Sequence, residues 1–371
     1  MADALDDIRV LDFSRVLAGP FATMMLGDFG ATVTKVERPG GGDETRSWGP
    51  PYDERGEATY FQSVNRNKQS IVLDLRDEGD VQRARALASE SDVIVENFRP
   101  GVMDRLGLGY DQLRVQQPGL IYCSITGFGS GAGAQLPGYD LLVQALGGLM
   151  SITGETDGPP QKVGVAVVDV LAGLFATVGI MAALRHRDAG GEGQLVEVNL
   201  LSALLGALVN QGSGYTIAGV VPGRMGNEHP SIAPYAPFPT ADGELVVAVG
   251  NERQFSALCE VLGAPELAQD PRFDNNSGRV DNRQQLHEQI QAQLAARPAS
   301  EWARLLTEAR VPAGVVNDVA GAFALAQTLG LAPTVSIARE DGSDVVLTRN
   351  PVTLSGTPAS YRSAPPSLPA D

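Results

Sequence analysis

The sequence predicts an α/β protein, a large Rossmann-like domain with a parallel sheet beside a smaller α+β domain. Three observations predict it: strand-like and helical runs alternate along the N-terminal half, the composition shifts near Val220, and 371 residues exceed one core. Single cores stop growing at about 250–300 residues, so two domains are expected. Residues 8–13 read as a buried strand, and 14–20 as a loop leading into a helix that Gly30 stops. Residues 31–37 form a second, β-branched strand, completing a βαβ unit that implies parallel pairing. The rhythm returns as a strand at 70–75, a helix at 79–91 and strands at 92–97 and 120–126. A further strand at 194–200 runs into an apolar helix ending near Gly219. The large domain is expected over 1–220, completed by 331–371. The small domain is expected over 225–330, with a strand from Glu244 and amphipathic helices at 279–295 and 299–310.

Composition narrows the function. Lys and Arg total 28 against 44 Asp and Glu, a formal net charge of −16 that would repel nucleic acid. An anionic ligand therefore requires a local basic cluster. Arg15, Lys35, Arg38, Arg66, Lys68, Arg76, Arg99 and Arg105 flank the βα loops, and Arg15, Arg38, Arg76 and Arg99 closely follow strands. In an open parallel sheet that is where ligands bind. The first strand is followed by neither a Gly-x-Gly-x-x-Gly pattern nor a phosphate-loop Lys-Ser/Thr, so dinucleotide and NTP chemistry lack their usual signal. Cys123 and Cys259 sit in apolar runs and read as core residues. No signal-peptide pattern opens the chain. The apolar stretch 170–184, at 15 residues, is shorter than the roughly 18–20 that span a bilayer. The expectation is a cytoplasmic enzyme with neither membrane nor nucleic-acid partner.

Asp169 is the most informative residue, as the only ionisable side chain between Val163 and Leu184. A carboxylate is costly to bury unpaired. It stands at the expected start of a helix, where it would serve as an N-cap, a role compatible with catalysis. His186 ends a basic helix, His287 is expected to be solvated, and His229 is a pocket candidate. Neither a Gly-x-Ser-x-Gly elbow nor a His-Glu-x-x-His site is present, so a carboxylate is the better candidate for the reactive group.

Several segments, in order, resemble the family III CoA-transferases, which include formyl-CoA transferase and the α-methylacyl-CoA racemases. They are Val10-Leu11-Asp12-Phe13 with Leu17-Ala18-Gly19-Pro20, and Gly30-Ala31-Thr32-Val33 with Lys35-Val36-Glu37-Arg38-Pro39. Asn67-Lys68-Gln69-Ser70-Ile71, Glu96-Asn97-Phe98-Arg99-Pro100-Gly101, Ile125-Thr126-Gly127-Phe128-Gly129, Pro137-Gly138-Tyr139-Asp140, the Asp169 segment and Gly191-Glu192-Gly193-Gln194 follow. The resemblance implies an interlocked homodimer, no prosthetic group, and coenzyme A as substrate. On matching positions it implies Asp169 as nucleophile. It implies a CoA site of Leu17, Ala18, Arg38, Leu73, Arg76, Asn97, Phe98, Arg99 and Arg105, with Tyr139 and Asp140 near the thioester.

The implied reaction moves CoA from an acyl-CoA to a carboxylic acid through an aspartyl–acyl anhydride and an aspartyl-CoA thioester. Two alternatives stand beside it, an α-methylacyl-CoA racemase and a non-catalytic acyl-CoA binding protein. The racemase Gly-His-Asp motif reads Gly138-Tyr139-Asp140 here, and a Tyr is a poor base near neutral pH. Leu17 stands where formyl-CoA transferase has Gln, and residues 249–254 replace its glycine-rich loop, which argues against formyl or oxalyl transfer. The tail lacks the family's Gly-Glu-His-Thr and final helix.

Overall fold

The computed structural model describes residues 3–369, which divide into two compact units. One comprises Met1–Leu149, Lys162–Val221 and Ala332–Asp371, and the other Met150–Gln161 with Pro222–Leu331.

The first unit is built on six parallel strands: β1 Arg9–Asp12, β2 Thr32–Glu37, β3 Lys68–Val72, β4 Val93–Glu96, β5 Ile121–Thr126 and β6 Leu195–Asn199. Their order, β3-β2-β1-β4-β5-β6, reverses between β1 and β4. There Leu11 lies opposite Thr34 on one side and Ile94 on the other. Both faces are covered, so alternate residues of each strand enter different cores. Val10, Val33, Val93, Val95, Ile121 and Cys123 pack with helices α1 (Ala18–Asp28) and α4 (Val167–Asp188). Leu11, Phe13, Val36, Ile94 and Tyr122 pack on the opposite face with α2 (Glu78–Ser89). Helix α3 (Asp140–Leu146) precedes α4, and α5 (Leu200–Ala207) follows β6. The single helix expected to reach Gly219 is broken: Val209 adopts φ 41°, separating α5 from α6 (Val209–Ala218).

Helix α4 runs 22 residues, longer than the apolar stretch suggested, because it continues through Arg185, His186 and Arg187. By length and composition it could cross a bilayer. Val168, Ala172, Ala176, Ile180 and Leu184 are buried in the core of this unit, while Leu174, Phe175, Val178 and Met181 are exposed, so the expected core helix is buried on one face. The tail forms no terminal helix among the described residues. It lies extended against the first unit, where Arg362 donates to the Gly27 and Ala31 carbonyls, and Asn67 N–H to Ser363 O.

The second unit carries an antiparallel sheet of β7 (Tyr235–Pro239), β8 (Glu244–Ala248) and β9 (Ala313–Val315). Helices α7 (Glu252–Leu262), α8 (Arg283–Leu294) and α9 (Ala299–Glu308) bury Phe238, Phe255, Ile290 and Trp302 against it. Cys259 belongs to this core and Cys123 to that of the first unit, both as free buried thiols. His287, expected to be solvated, is only partly so: its ring stacks on Phe238 with centroids 4.4 Å apart.

Candidate active site

The loop after β1 rests on a buried ionic floor. Asp12 and the Lys35 and Lys68 side chains are 0–2 % exposed. Lys68 Nζ lies 3.1 Å from Asp12 Oδ2, and Lys35 Nζ 2.9 Å from Asp43 Oδ2. Asp12 also accepts from Thr23 Oγ1 at 2.6 Å and from the Ser14 amide and hydroxyl. Burial pulls the Lys68 ammonium down to about 8, against the opposing pull of Asp12. Lys35 Nζ donates to Ser14 O at 2.8 Å, while Asp43 accepts from the Val16 amide at 3.3 Å. Val16 has φ 69°, a left-handed conformation that a β-branched residue adopts only where its surroundings enforce it. Asn97 adds a second clamp, accepting from Arg15 N–H at 2.9 Å and donating to Arg15 O at 2.7 Å. Three residues of the expected basic cluster are thereby removed from ligand binding. Lys35 and Lys68 are spent on the floor, and Arg66 pairs with Asp28 at 2.5 Å in the core. Sequence alone could not separate them from free cations, since the partners of Lys68 and Arg66 lie tens of residues away and nothing in the loop singles out Asp43 for Lys35.

Asp169 lies in the first turn of α4, two residues inside the helix, and does not cap it. The capping oxygen comes from Asp140 instead, whose Oδ1 accepts from Val168 N–H at 2.8 Å and Asp169 N–H at 3.4 Å. Asp140 Oδ2 accepts from Gln144 Nε2 at 2.6 Å, and Gln144 Oε1 accepts from Val163 N–H at 2.9 Å. Gln144 sits one turn beyond Asp140 on α3, so the two form a bracket that holds the start of α4. One turn beyond Asp169 on the same face is Gly173. A Cβ there would lie 2.6 Å from Ala18 O, so only glycine lets α4 approach α1 this closely. The close approach carries Asp169 to the β1 loop. Burial, with the Asp140 carboxylate as a second cause, pushes the Asp169 carboxyl up to about 7.

Asp169 opens onto a cavity of about 230 Å³ whose walls include Arg15, Leu17, Ala18, Glu44, Trp48 and Phe128. A second cavity of about 460 Å³ is lined by Arg38, Leu73, Asp74, Arg76 and Gly40. Arg15 and Phe98 belong to both walls, with the Arg15 guanidinium 4.9 Å above the Phe98 ring. Both cavities lie beyond the carboxyl ends of β1 and β4, at the reversal of strand order.

The structure gathers most of the expected site residues. Leu17, Ala18, Asn97, Phe98, Arg99 and Tyr139 line the first cavity together with Asp169, and Arg38, Leu73 and Arg76 line the second with Phe98. Arg105 lines neither, and Asp140 stands behind Asp169 as its positioning group. Arg76 is held by Asp74 through two bonds of 2.9 Å. His229 is in the second unit, where its ring meets Tyr235 at 5.3 Å and its Nδ1 accepts from Ser231 N–H. Sequence reasoning missed Glu44, Trp48 and Tyr60. Trp48 meets Tyr60 edge-on at 5.6 Å, and the Tyr60 hydroxyl is raised by burial and then by Asp169 and Asp140. Gly127 and Gly138 touch backbone to backbone, a Cβ on either falling within 2.6 Å of the other's Cα.

The CoA-transferase family III model matches residues 5–371. The succinate–glutarate CoA-transferase of Agrobacterium fabrum is 43 % identical over 98 % of this chain and 92 % of its own. The acetyl-CoA:oxalate CoA-transferase of Acetobacter aceti is 42 % identical over 95 % and 89 %. A CAIB/BAIF family protein from Brucella suis superposes with a TM-score of 0.88 at 41 % identity, covering 99 % of this chain and 97 % of that one. The chain thus belongs to CoA-transferase family III and is an enzyme that transfers CoA from an acyl thioester to a carboxylic acid.

Proposed function

We propose that Asp169 is the covalent nucleophile of this transfer. The observation that carries the reading is a lone carboxylate, raised to about 7 and held by Asp140 and the Gly173 crossing on a cavity wall. A carboxylate that is half-ionised near neutral pH is a better nucleophile than an ordinary Asp, while enough of it remains ionised to react. In the first step Asp169 attacks the thioester carbonyl, the C–S bond breaks, and the CoA thiolate leaves an aspartyl–acyl anhydride. The thiolate then attacks the aspartyl carbonyl and expels the donor acid as its carboxylate. The acceptor carboxylate attacks the resulting aspartyl-CoA thioester, and returning CoA cleaves the new anhydride at the acyl carbonyl, freeing Asp169. The Ala18 amide, in the first turn of α1 on the cavity wall, is the donor assigned to the developing oxyanion.

The second cavity is assigned to the phosphates and adenine of CoA, because Arg38 and Arg76 line it. Succinate, glutarate and oxalate in the relatives' names point to short dicarboxylic acids as the class exchanged. A racemase would need a second base across the α-carbon. Asp140 has both oxygens committed, to α4 and to Gln144, and Tyr139 offers only a phenol. An acyl-CoA binding protein would have no use for a carboxylate with this character. The same reading includes a cytoplasmic, interlocked homodimer, which gel filtration would report as twice the 39.0 kDa chain mass.

Incubation with succinyl-CoA and hydroxylamine is expected to leave a hydroxamate on Asp169, detected by peptide mass spectrometry. Asp169→Ala should retain CoA binding and lose transfer by about 10⁴-fold or more, the scale of removing a covalent nucleophile. Substantial turnover by that variant would end the assignment.

A further inference from the structure

Arg15 is the one cation on the walls of both cavities, and its partner is Glu44. Its backbone is clamped by Asn97, but its head makes a single bond, Nη1 to Glu44 Oε1 at 2.7 Å. Two atoms of this pair, Arg15 Nε and Glu44 Oε2, are buried with no hydrogen-bond partner. Arg38 Nη1 approaches the same Glu44 Oε1 at 3.7 Å. A single carboxylate oxygen therefore stands between two guanidinium groups and leaves donor and acceptor capacity unused. The backbone of Glu44 is held in place. It opens the short helical turn Glu44–Ser47, which is capped by Asp43, itself tied to Lys35 in the floor.

We propose that Glu44 is an affinity-limiting carboxylate, a built-in competitor that the CoA diphosphate must displace from Arg15 and Arg38 on binding. This rests on the placement of CoA proposed above. A chain running from the arginine-lined cavity to Asp169 passes Arg15, the residue common to both walls. A diphosphate offers a guanidinium fork several acceptors, including one for the unpaired Nε, so it outcompetes a carboxylate bound through one oxygen. Glu44 remains beside the bound diphosphate as a like charge and weakens its hold. For a transferase this is useful, since a new acyl-CoA must leave at the end of every cycle.

The test is calorimetric titration of CoA into the full-length protein, with steady-state transfer measured alongside. Glu44→Gln should tighten CoA roughly tenfold and lower kcat as release becomes slower, because one juxtaposed like charge has been removed. Glu44→Met should shift affinity in the same direction, and guards against a folding defect peculiar to one substitution. In an Arg15→Gln background, Glu44→Gln should tighten CoA by less, because only the competition for Arg38 and the like charge remain to be relieved. Unchanged or weaker CoA binding in both Glu44 variants would overturn the proposal, as would a gain undiminished by the loss of Arg15. Failure of the CoA placement looks different: Arg38→Ala and Arg76→Ala would then leave CoA affinity untouched.

Discussion

The two units treat buried charge in opposite ways. In the second, Arg279 is 1 % exposed and fully used: Nε donates to Ala233 O, Nη1 to Glu252 and Phe273 O, Nη2 to Glu252, and the guanidinium lies 4.5 Å over Phe255. In the first, Asp169 has an elevated carboxyl, and Arg15 and Glu44 each keep a buried atom unpartnered. The fully paired cation sits in a core, whereas Asp169, Arg15 and Glu44 stand on the wall of one cavity. The first unit contains both kinds, since its floor of Asp12, Lys35, Lys68 and Asp43 is as thoroughly paired as Arg279.

The comparison is tested most severely at Arg279. Arg279→Met should destabilise the second unit by about 2–4 kcal/mol, because the Ala233 and Phe273 carbonyls lose buried donors while Glu252, being largely exposed, stays solvated. Differential scanning calorimetry would record an early transition, and a melt unchanged from wild type would show that the pairing carries no weight. Next in size is the effect on CoA affinity. Arg38→Ala and Arg76→Ala should each weaken CoA by about 1.5–3 kcal/mol, the range for hydrogen bonds to charged groups. Arg105→Ala should cost less, because Arg105 lines neither cavity; an equal loss at Arg105 would extend the CoA site beyond both.

A separate test is a pH-dependent gain at Asp169. Its folded carboxyl is raised to about 7 from an ordinary 3.8, so the folded state holds the proton more tightly than the unfolded chain. Stability from this group is complete below about pH 4 and is lost as pH rises through 7. Asp169→Asn, which cannot ionise, should therefore melt a few degrees above wild type at pH 8 and level with it at pH 4. A constant difference across that range would mean that the carboxyl is not raised. The same ionisation predicts that wild-type kcat/KM falls as pH drops below about 7.

Periodicity made most of the sheet legible, because β1, β2, β4 and β5 are largely buried on both faces and their apolar runs are bounded by glycine and helix caps. Boundaries moved by one to three residues, as at β3, expected from Ser70 and observed from Lys68. What stayed hidden depended on distant pairs. Nothing near Lys68 foretold Asp12, 56 residues away, or a cap on α4 supplied by Asp140. The segment Met150–Gln161 joins the second unit without any shift of composition to mark it. Within the candidate site, Asp169 was conspicuous as a lone charge in an apolar run. Glu44 was not, for one acidic residue in a polar loop carries no signal until Arg15 is seen beside it.

The Gly173 crossing has a consequence for how such an enzyme diversifies. The position of Asp169 is set by two helices in contact through main-chain atoms and by a carboxylate behind it. The surfaces that would meet the acids, at Leu17, Trp48, Phe128 and Leu136, are side chains on loops. Replacing one of these reshapes the chamber while leaving Asp169 registered to the sheet. Substrate preference and reactivity are thus inherited from separate parts of the chain, so one can drift over generations while the other is conserved by geometry.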